Sequence, residues 1–580
     1  MITELTFKEL KRNLKKDFTG KKHIKVAVLG DNATQLLCQA LRGIGYEMGL
    51  DLEMWEADFN QIEHQMLTAN SDLYHFEPDA IIVFYATRKL LHLYDTLNEA
   101  ERSHLAERRL ALYESIYNSA KTNSKAKVLF INYPELDDRV FGCLGNRLEQ
   151  AFIYQTRLLN LKLMELSAKY TDCFIIDLSA IQNEVGYAFL FDHSIYVNTE
   201  MVISVDALPL VAKRMVDIIS AASGNVHKCL ICDLDNTLWG GVIGDDGIEN
   251  IQIGMLGIGK AFTELQHWVK KLAERGIIIA ICSKNDEKVA KEPFEKHPDM
   301  VLRLEDISVF VANWENKADN IRYIQKTLNI GFDSMVFLDD NPFERNQVRR
   351  ELPAICVPEL PTDPAEYTDY LCSLNLFETI SYSDADRQRT AQYRIEAQRA
   401  EAHARFSNED DYLASLEMYS EVLSFTPYNT PRVAQLSQRS NQFNLRTIRW
   451  SEEDVAARAA SPDYITLAFT LRDKYGDNGL ICVVALKRTS PEELFIENWF
   501  MSCRVLKRGM EDFTMNTIVE CARKLGALRV IGEYIPTPKN SMVKEHYNML
   551  GFTKLDGGRW ALDVPTYKSR KNYISRLEEN

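Results

Sequence analysis

Short apolar runs alternate with longer helical periodicities over the first two-thirds of the chain. Lys25-Val26-Ala27-Val28-Leu29-Gly30 reads as a buried strand entering a glycine turn, and a helix follows over about 34–48. Asp79–Phe84, Lys127–Asn132 and Cys173–Asp177 read as further strands, separated by long helical patterns. Strands that alternate with helices imply a parallel sheet covered on both faces. This first domain is expected to span 1–224, and the pattern then restarts. Cys229–Asp233, Ile277–Cys282, Met335–Asp339 and Ala354–Pro358 read as four strands, with a helix over Gly259–Arg275. A second α/β domain is expected over 225–375.

Residues Ser383–Arg405 contain no Gly or Pro and are rich in Ala, Arg, Glu and Gln, so a polar helical connector is expected over 376–405. The remainder, 406–580, mixes helical patterns with strands at Tyr464–Leu471, Leu480–Leu486 and Leu494–Met501. It reads as an α+β domain. The fold class is therefore α/β and multidomain, closing on an α+β domain.

Composition adds limits. The chain has 580 residues, too many for one hydrophobic core. No apolar run reaches the roughly 18–20 residues that span a bilayer, and the first 16 residues mix charged and apolar positions unlike a signal peptide. A cytoplasmic location and no membrane partner are expected. A net charge of −15 argues against a nucleic-acid partner. Of the 11 cysteines, Cys229 and Cys232 form the only close pair. With no second pair or histidines near them, they read as reduced core thiols.

The densest chemistry lies in Ile231-Cys232-Asp233-Leu234-Asp235-Asn236-Thr237. Asp233 follows an apolar strand, where ligands gather in open α/β sheets. Asp235 follows two residues later, and paired carboxylates suit a hard cation such as magnesium. They also suit a division between nucleophile and general acid–base. Ser283, Lys284 and Asn285 end the next strand, Lys317 stands in Trp314-Glu315-Asn316-Lys317, and Asp339-Asp340 follow Met335–Leu338. Phosphoryl transfer needs mainly positioning and charge neutralisation, which this set provides.

These four motifs resemble the haloacid dehalogenase superfamily. The resemblance implies that Asp233 forms an aspartyl-phosphate and that Asp235 is the general acid and base. It implies that Thr237, Ser283, Lys284, Asn285 and Lys317 hold phosphate. Magnesium would be held by Asp233, the Asp235 backbone carbonyl and Asp340, with Asp339 close behind. Neither stretch between these motifs is long enough for an independently folded cap, since domains need roughly 50 residues or more. An open pocket is expected.

The runs Leu238-Trp239-Gly240-Gly241 and Leu338-Asp339-Asp340-Asn341-Pro342-Phe343-Glu344-Arg345 narrow the match. With Gln435–Leu445 and Met501–Leu506, they make nearly the whole chain resemble the FkbH-like proteins. That resemblance implies removal of phosphate from 1,3-bisphosphoglycerate and transfer of the glyceryl unit, through an enzyme thioester, to the phosphopantetheine thiol of an acyl carrier protein. Cys503, beside Arg504, Lys507 and Arg508, reads either as that thiol or as a core strand cysteine. The C-terminal domain resembles a GNAT acyltransferase. Its acyl-CoA loop would be Arg504–Gly509, with Lys507 in place of a glycine. Arg504, Lys507, Arg508, Gly509 and Asn441 are the expected acyl or pantetheine contacts. The N-terminal domain resembles an SGNH-type hydrolase, but Gly30-Asp31-Asn32 lacks the nucleophilic serine, so a non-hydrolytic module is expected. Two other readings stay open. One is a phosphatase of a sugar phosphate or protein fused to an acyl-CoA-dependent N-acyltransferase. The other is a scaffold without activity.

Overall fold

The computed structural model describes residues 5–382 and 408–577, with 395, 399, 402, 403 and 406 between them. Almost all of the polar helix expected over Ser383–Arg405 lies outside the described residues. The chain divides into two units, Met1–Ala222 and Ser223–Asn580.

In the first unit, five parallel strands stand in the order β2-β1-β3-β4-β5. They are β1 (Lys22–Gly30), β2 (Leu50–Glu56), β3 (Ala80–Phe84), β4 (Lys127–Ile131) and β5 (Cys173–Ile176). This is the strand order of flavodoxin-like folds. Every residue of β3 is buried, which is why it reads as a continuous apolar run. β2 was not evident in the sequence. Its pattern, Leu-Asp-Leu-Glu-Met-Trp-Glu, belongs to an edge strand that is only partly covered. The helix over Gln35–Glu47 is joined closely by Phe7–Asn13. A Cβ on Gly43 would lie 2.7 Å from the Leu10 carbonyl oxygen, so only glycine permits this approach.

The second unit carries two sheets. One is parallel, in the order β8-β7-β6-β9, from β6 (Cys229–Cys232), β7 (Ile278–Ser283), β8 (Val309–Ala312) and β9 (Met335–Leu338). Cys229 and Cys232 are fully buried free thiols in β6. The run Ala354–Pro358, expected to be a strand, makes only a single bridge, Val336 to Cys356. Pro353 and Pro358 remove the amide donors at both ends, which stops a ladder from growing. β8 takes the fourth place instead.

The other sheet is mixed and nine-stranded. Its centre is a long antiparallel meander of β12 (Tyr464–Asp473), β13 (Gly476–Ser490) and β14 (Glu493–Met501). β14 pairs with β15 (Arg529–Glu533) in parallel over only three residues, Glu493–Phe495 with Arg529–Ile531. The two strands then diverge. Backbone groups exposed by the divergence need partners, and the chain supplies them from Phe443–Leu445. Leu445 N donates to the Trp499 carbonyl at 3.1 Å, Met501 N to that of Phe443 at 3.0 Å, and Ile535 N to that of Leu445 at 2.9 Å.

Candidate active site

The carboxyl ends of β6, β7 and β9 converge on one acidic pocket. Asp233 leaves β6 with its amide donating to the Leu338 carbonyl at 2.9 Å, which ties the ends of β6 and β9 together. Asn236 then takes a left-handed conformation, with φ of 52°. Its side-chain oxygen accepts from Gly241 N at 2.9 Å, which fixes the turn that carries Asp235. Thr237 is fully buried, and its hydroxyl accepts from the Asp340 amide at 3.1 Å. Thr237 thus fastens the first acidic loop to the last.

One carboxylate oxygen from each of Asp233, Asp339 and Asp340 lies within 4.8 Å of the others. Lys317, at the start of the helix Lys317–Leu328, sits 2.9 Å from Asp233 Oδ2 and also bonds Asp339 Oδ2. Asp339 Oδ1 accepts from Asn341 N at 2.9 Å, so both its oxygens are engaged. Asp233 Oδ1 is buried and has no hydrogen-bond partner among the described residues. Among the described residues the Asp340 carboxylate has only a 3.5 Å contact from Thr237. The unfilled acceptors therefore belong to Asp233 and Asp340, and an oxygen-seeking divalent cation fits between them. The Asp235 carboxylate stands outside this cluster. Its Oδ1 accepts from Trp239 Nε1 at 2.9 Å and Ile243 N at 3.0 Å, and its Oδ2 from Asn285 Nδ2 at 2.8 Å.

Burial governs the charges. It raises Asp235 above the usual carboxylate range, against the hydrogen bonds from Ile243 and Trp239. Burial, then the charge of Asp233, raises Asp340 as well as Asp339. For Lys317 burial acts the other way, but the Asp233 and Asp339 carboxylates outweigh it and keep the ammonium charged.

The remaining phosphate-binding residues divide. Ser283 is buried at the carboxyl end of β7. Lys284 pairs with the largely buried Glu344 at 2.6 Å, and Asn285 is spent on Asp235. Two buried residues that shape the pocket, Arg345 and Trp239, have no role in the sequence reading. Arg345 Nη1 donates to the carbonyls of Asp339 and Asp340, each at 2.7 Å, while its Nε and Nη2 hold Glu359. Trp239 fixes Asp235. Both lie in runs noted for their resemblance, but the contacts that give them work are tertiary. Among the described residues, neither gap between the motifs contains a separate folded cap. Trp314 and Phe343, both exposed, follow β8 and β9 at the same end of the sheet.

The family model for the FkbH N-terminal domain matches residues 25–220. The N-terminal part of the protein BF1531 from Bacteroides fragilis, containing a phosphatase domain and solved with magnesium, is 55% identical. The match covers 65% of this chain and 100% of that one, with a TM-score of 0.63. The chain belongs to the FkbH-like family of haloacid dehalogenase phosphatases. The GNAT domain of S. lividans PAT also matches, at 18% identity over 24% of this chain and 89% of that one, with a TM-score of 0.20. No curated protein matches.

In this FkbH-like chain the second set of expected residues lies around the nine-stranded sheet. Cys503 opens a short turn after β14 and lines a cavity of about 330 Å³ with Lys228, Arg439, Asn441 and Lys539. Its carbonyl accepts from Asn329 Nδ2. Lys228 precedes β6, and Ile330–Ser334 on the cavity wall precede β9. The cavity is thus at the amino end of the parallel sheet, opposite the acidic pocket. Asn441 is a tether: its Nδ2 donates to the Gly224 carbonyl at 2.8 Å, and its Oδ1 accepts from Arg449.

The expected acyl-CoA loop is turned inward. Lys507 adopts φ of 63°, and its amide donates to Glu511 at 3.3 Å. The first turn of the helix Met510–Lys524 thus already takes up a loop amide with its own carboxylate. Burial raises Glu511. Arg508 is buried, 3.5 Å from Asp473. Gly509, at φ of 78°, is the residue before the helix. The side chain of Arg504 lies outside the described residues.

Proposed function

We propose that this FkbH-like protein is a magnesium-dependent phosphatase of a small phosphorylated substrate, working through an aspartyl-phosphate on Asp233. The observation that carries this is the buried Asp233 Oδ1, which has no partner among the described residues and lies beside Asp340 and Lys317. Asp233 attacks phosphorus, and the bond from phosphorus to the leaving oxygen breaks. Asp235, whose carboxyl burial holds above the usual carboxylate range, gives a proton to that oxygen. Asp235 then takes a proton from water, whose oxygen attacks the aspartyl-phosphate and frees phosphate and Asp233. Lys317 balances the charge of Asp233 and Asp339. Asp233 and Asp340 would hold magnesium, with Asp339 close behind, and the ion would neutralise the phosphoryl oxygens. The relative solved with magnesium supports that choice of cation. Asp233→Asn is expected to abolish phosphate release from an aryl phosphate while thermal unfolding stays unchanged. Turnover surviving in that folded variant would refute the nucleophile.

A second, finer reading is supported by the cavity around Cys503. In it the substrate is 1,3-bisphosphoglycerate, and the glyceryl unit passes through a Cys503 thioester to the phosphopantetheine thiol of an acyl carrier protein. The thiol and the nearby Lys228, Arg439 and Lys539 support this reading. Because the cavity and the acidic pocket open at opposite ends of one sheet, hydrolysis and acyl transfer would be separate events. The test is mass gain on enzyme and carrier after mixing with magnesium, 1,3-bisphosphoglycerate and carrier protein.

A further inference from the structure

The sheet of the first unit has its own point of reversal. β1 lies between β2 and β3, so the connections leave it on opposite sides and open a crevice at the strands' carboxyl ends, where ligands of open α/β sheets bind. A cavity of about 250 Å³ lies there. Asp31 directly follows β1, Tyr85 follows β3, and Tyr133 stands just beyond β4. Asn32 is not in the lining. Its amide donates to Asp31 Oδ1 and to the Phe84 carbonyl, each at 3.2 Å.

The charges decide what could bind. Two of the four charged lining residues are matched within the protein. Lys89 pairs with Glu200, and Glu63 accepts from the Tyr85 hydroxyl at 2.8 Å. Arg109 and Asp31 remain. The Arg109 guanidinium lies over the Tyr85 ring, 4.3 Å from its centre. Among the described residues its Nε is buried with no hydrogen-bond partner and no carboxylate lies within ion-pair distance, while the rest of the guanidinium is engaged only with the neutral Tyr133 hydroxyl. A half-buried cation with no carboxylate partner suits an anion, and its planar fork suits a carboxylate. Asp31 Oδ1 accepts from Ala86 N at 2.8 Å. Its Oδ2 has no bond among the described residues and can take a cation. An anion alone would meet the repulsion of Asp31 and Glu63, and a cation alone that of Arg109 and Lys89. Ile62, Leu90 and Leu93 complete the wall with aliphatic surface. The cavity is smaller than the roughly 300–1,000 Å³ that drug-sized ligands fill.

We propose that this cavity binds a small zwitterion with an aliphatic tail, an aliphatic α-amino acid, with its carboxylate on Arg109 and its ammonium on Asp31. The site lies within the first unit, and the phosphatase centre within the second. Calorimetry on the full chain with L-leucine, 4-methylpentanoate and 3-methylbutylamine tests it. L-Leucine is expected to bind, and each half-charged analogue to bind about tenfold or more weaker. Arg109→Lys keeps the charge but removes the fork, and Asp31→Asn removes the charge. Each is expected to weaken L-leucine binding about tenfold or more, with aryl phosphate turnover and circular dichroism unchanged. The proposal is overturned by no L-leucine binding at about 10 mM, by carboxylate or amine binding as tightly as L-leucine, or by binding that survives in both folded variants.

Discussion

Asp233 and Asp235 are two residues apart, and their surroundings give them different work. Among the described residues Asp233 keeps an unpartnered Oδ1 while its Oδ2 meets Lys317, whereas Asp235 is held by three donors from Trp239, Ile243 and Asn285. Asp235→Asn preserves the shape and can still accept from Trp239 and Ile243, but it can neither give nor take the proton. With an aryl phosphate, whose leaving group needs little protonation, the variant is expected to form the aspartyl-phosphate and stall. Steady turnover should fall by about 10²–10⁴, and intact-mass analysis should find one phosphoryl group retained. A variant that turns over without retaining phosphate would remove Asp235 from the second step. Asp31 yields a pH prediction. Burial raises it to about 6 from 3.8. The folded state therefore holds this proton more tightly than the unfolded chain. The resulting stability is fully present below about pH 4 and is lost as pH rises through about 6. Asp31→Asn should thus stabilise the first unit at pH 7 by up to about 3 kcal/mol and leave it nearly unchanged at pH 4. Hydrogen exchange of peptides covering β1 and β3 reads this locally.

At the scale of elements, the acidic loop after β9 is shaped by a side chain from the helix that follows it. Arg345 is 4% exposed, and its guanidinium bridges the carbonyls of Asp339 and Asp340 to Glu359. It is a positioning residue. Arg345→Ala is expected to raise the magnesium concentration for half-maximal activity by about 10–100-fold, as loss of an outer-shell partner does. Arg345→Lys should recover only part, because one ammonium cannot hold two carbonyls and a carboxylate together. Unchanged magnesium dependence would reduce Arg345 to packing. The limits of sequence reading lie at the same scale. β6, β7 and β9 are buried on both faces, so apolar runs announce them, and the acidic motifs follow directly from their ends. β8, whose Phe310 is only partly buried, gave no such signal, while Ala354–Pro358 gave a false one, since its apolar run lies between two prolines that cannot donate to a ladder. Lys284 and Asn285 occupy the expected loop, yet their partners, Glu344 and Asp235, come from elsewhere in the fold. Nothing local to Arg345 indicates the carbonyls it binds.

Within the second unit, the distance between two chemistries matters more than either one. Asp233 follows the carboxyl end of β6, and Lys228, on the wall of the Cys503 cavity, precedes its amino end. Four residues at about 3.3 Å each put at least about 13 Å of buried sheet between them. A group bound at Asp233 cannot meet the Cys503 thiol without leaving the pocket. Neighbouring sites would make loss of either residue stop both reactions, whereas these should fail separately. Cys503→Ser is therefore expected to keep phosphate release within about twofold of the parent, because it touches no residue of the acidic pocket. The same variant should lose any acyl adduct on the enzyme if that cavity carries the thioester. Asp233→Asn should stop phosphate release, and it should leave Cys503 reactive toward a thiol-directed alkylating reagent, since its cavity is untouched. Parallel measurement of phosphate release, acyl mass gain and alkylation in the two variants decides the matter. An acyl adduct that persists in Cys503→Ser would place the thioester on another cysteine. Phosphate release lost in that folded variant would show that the two ends of the sheet are coupled.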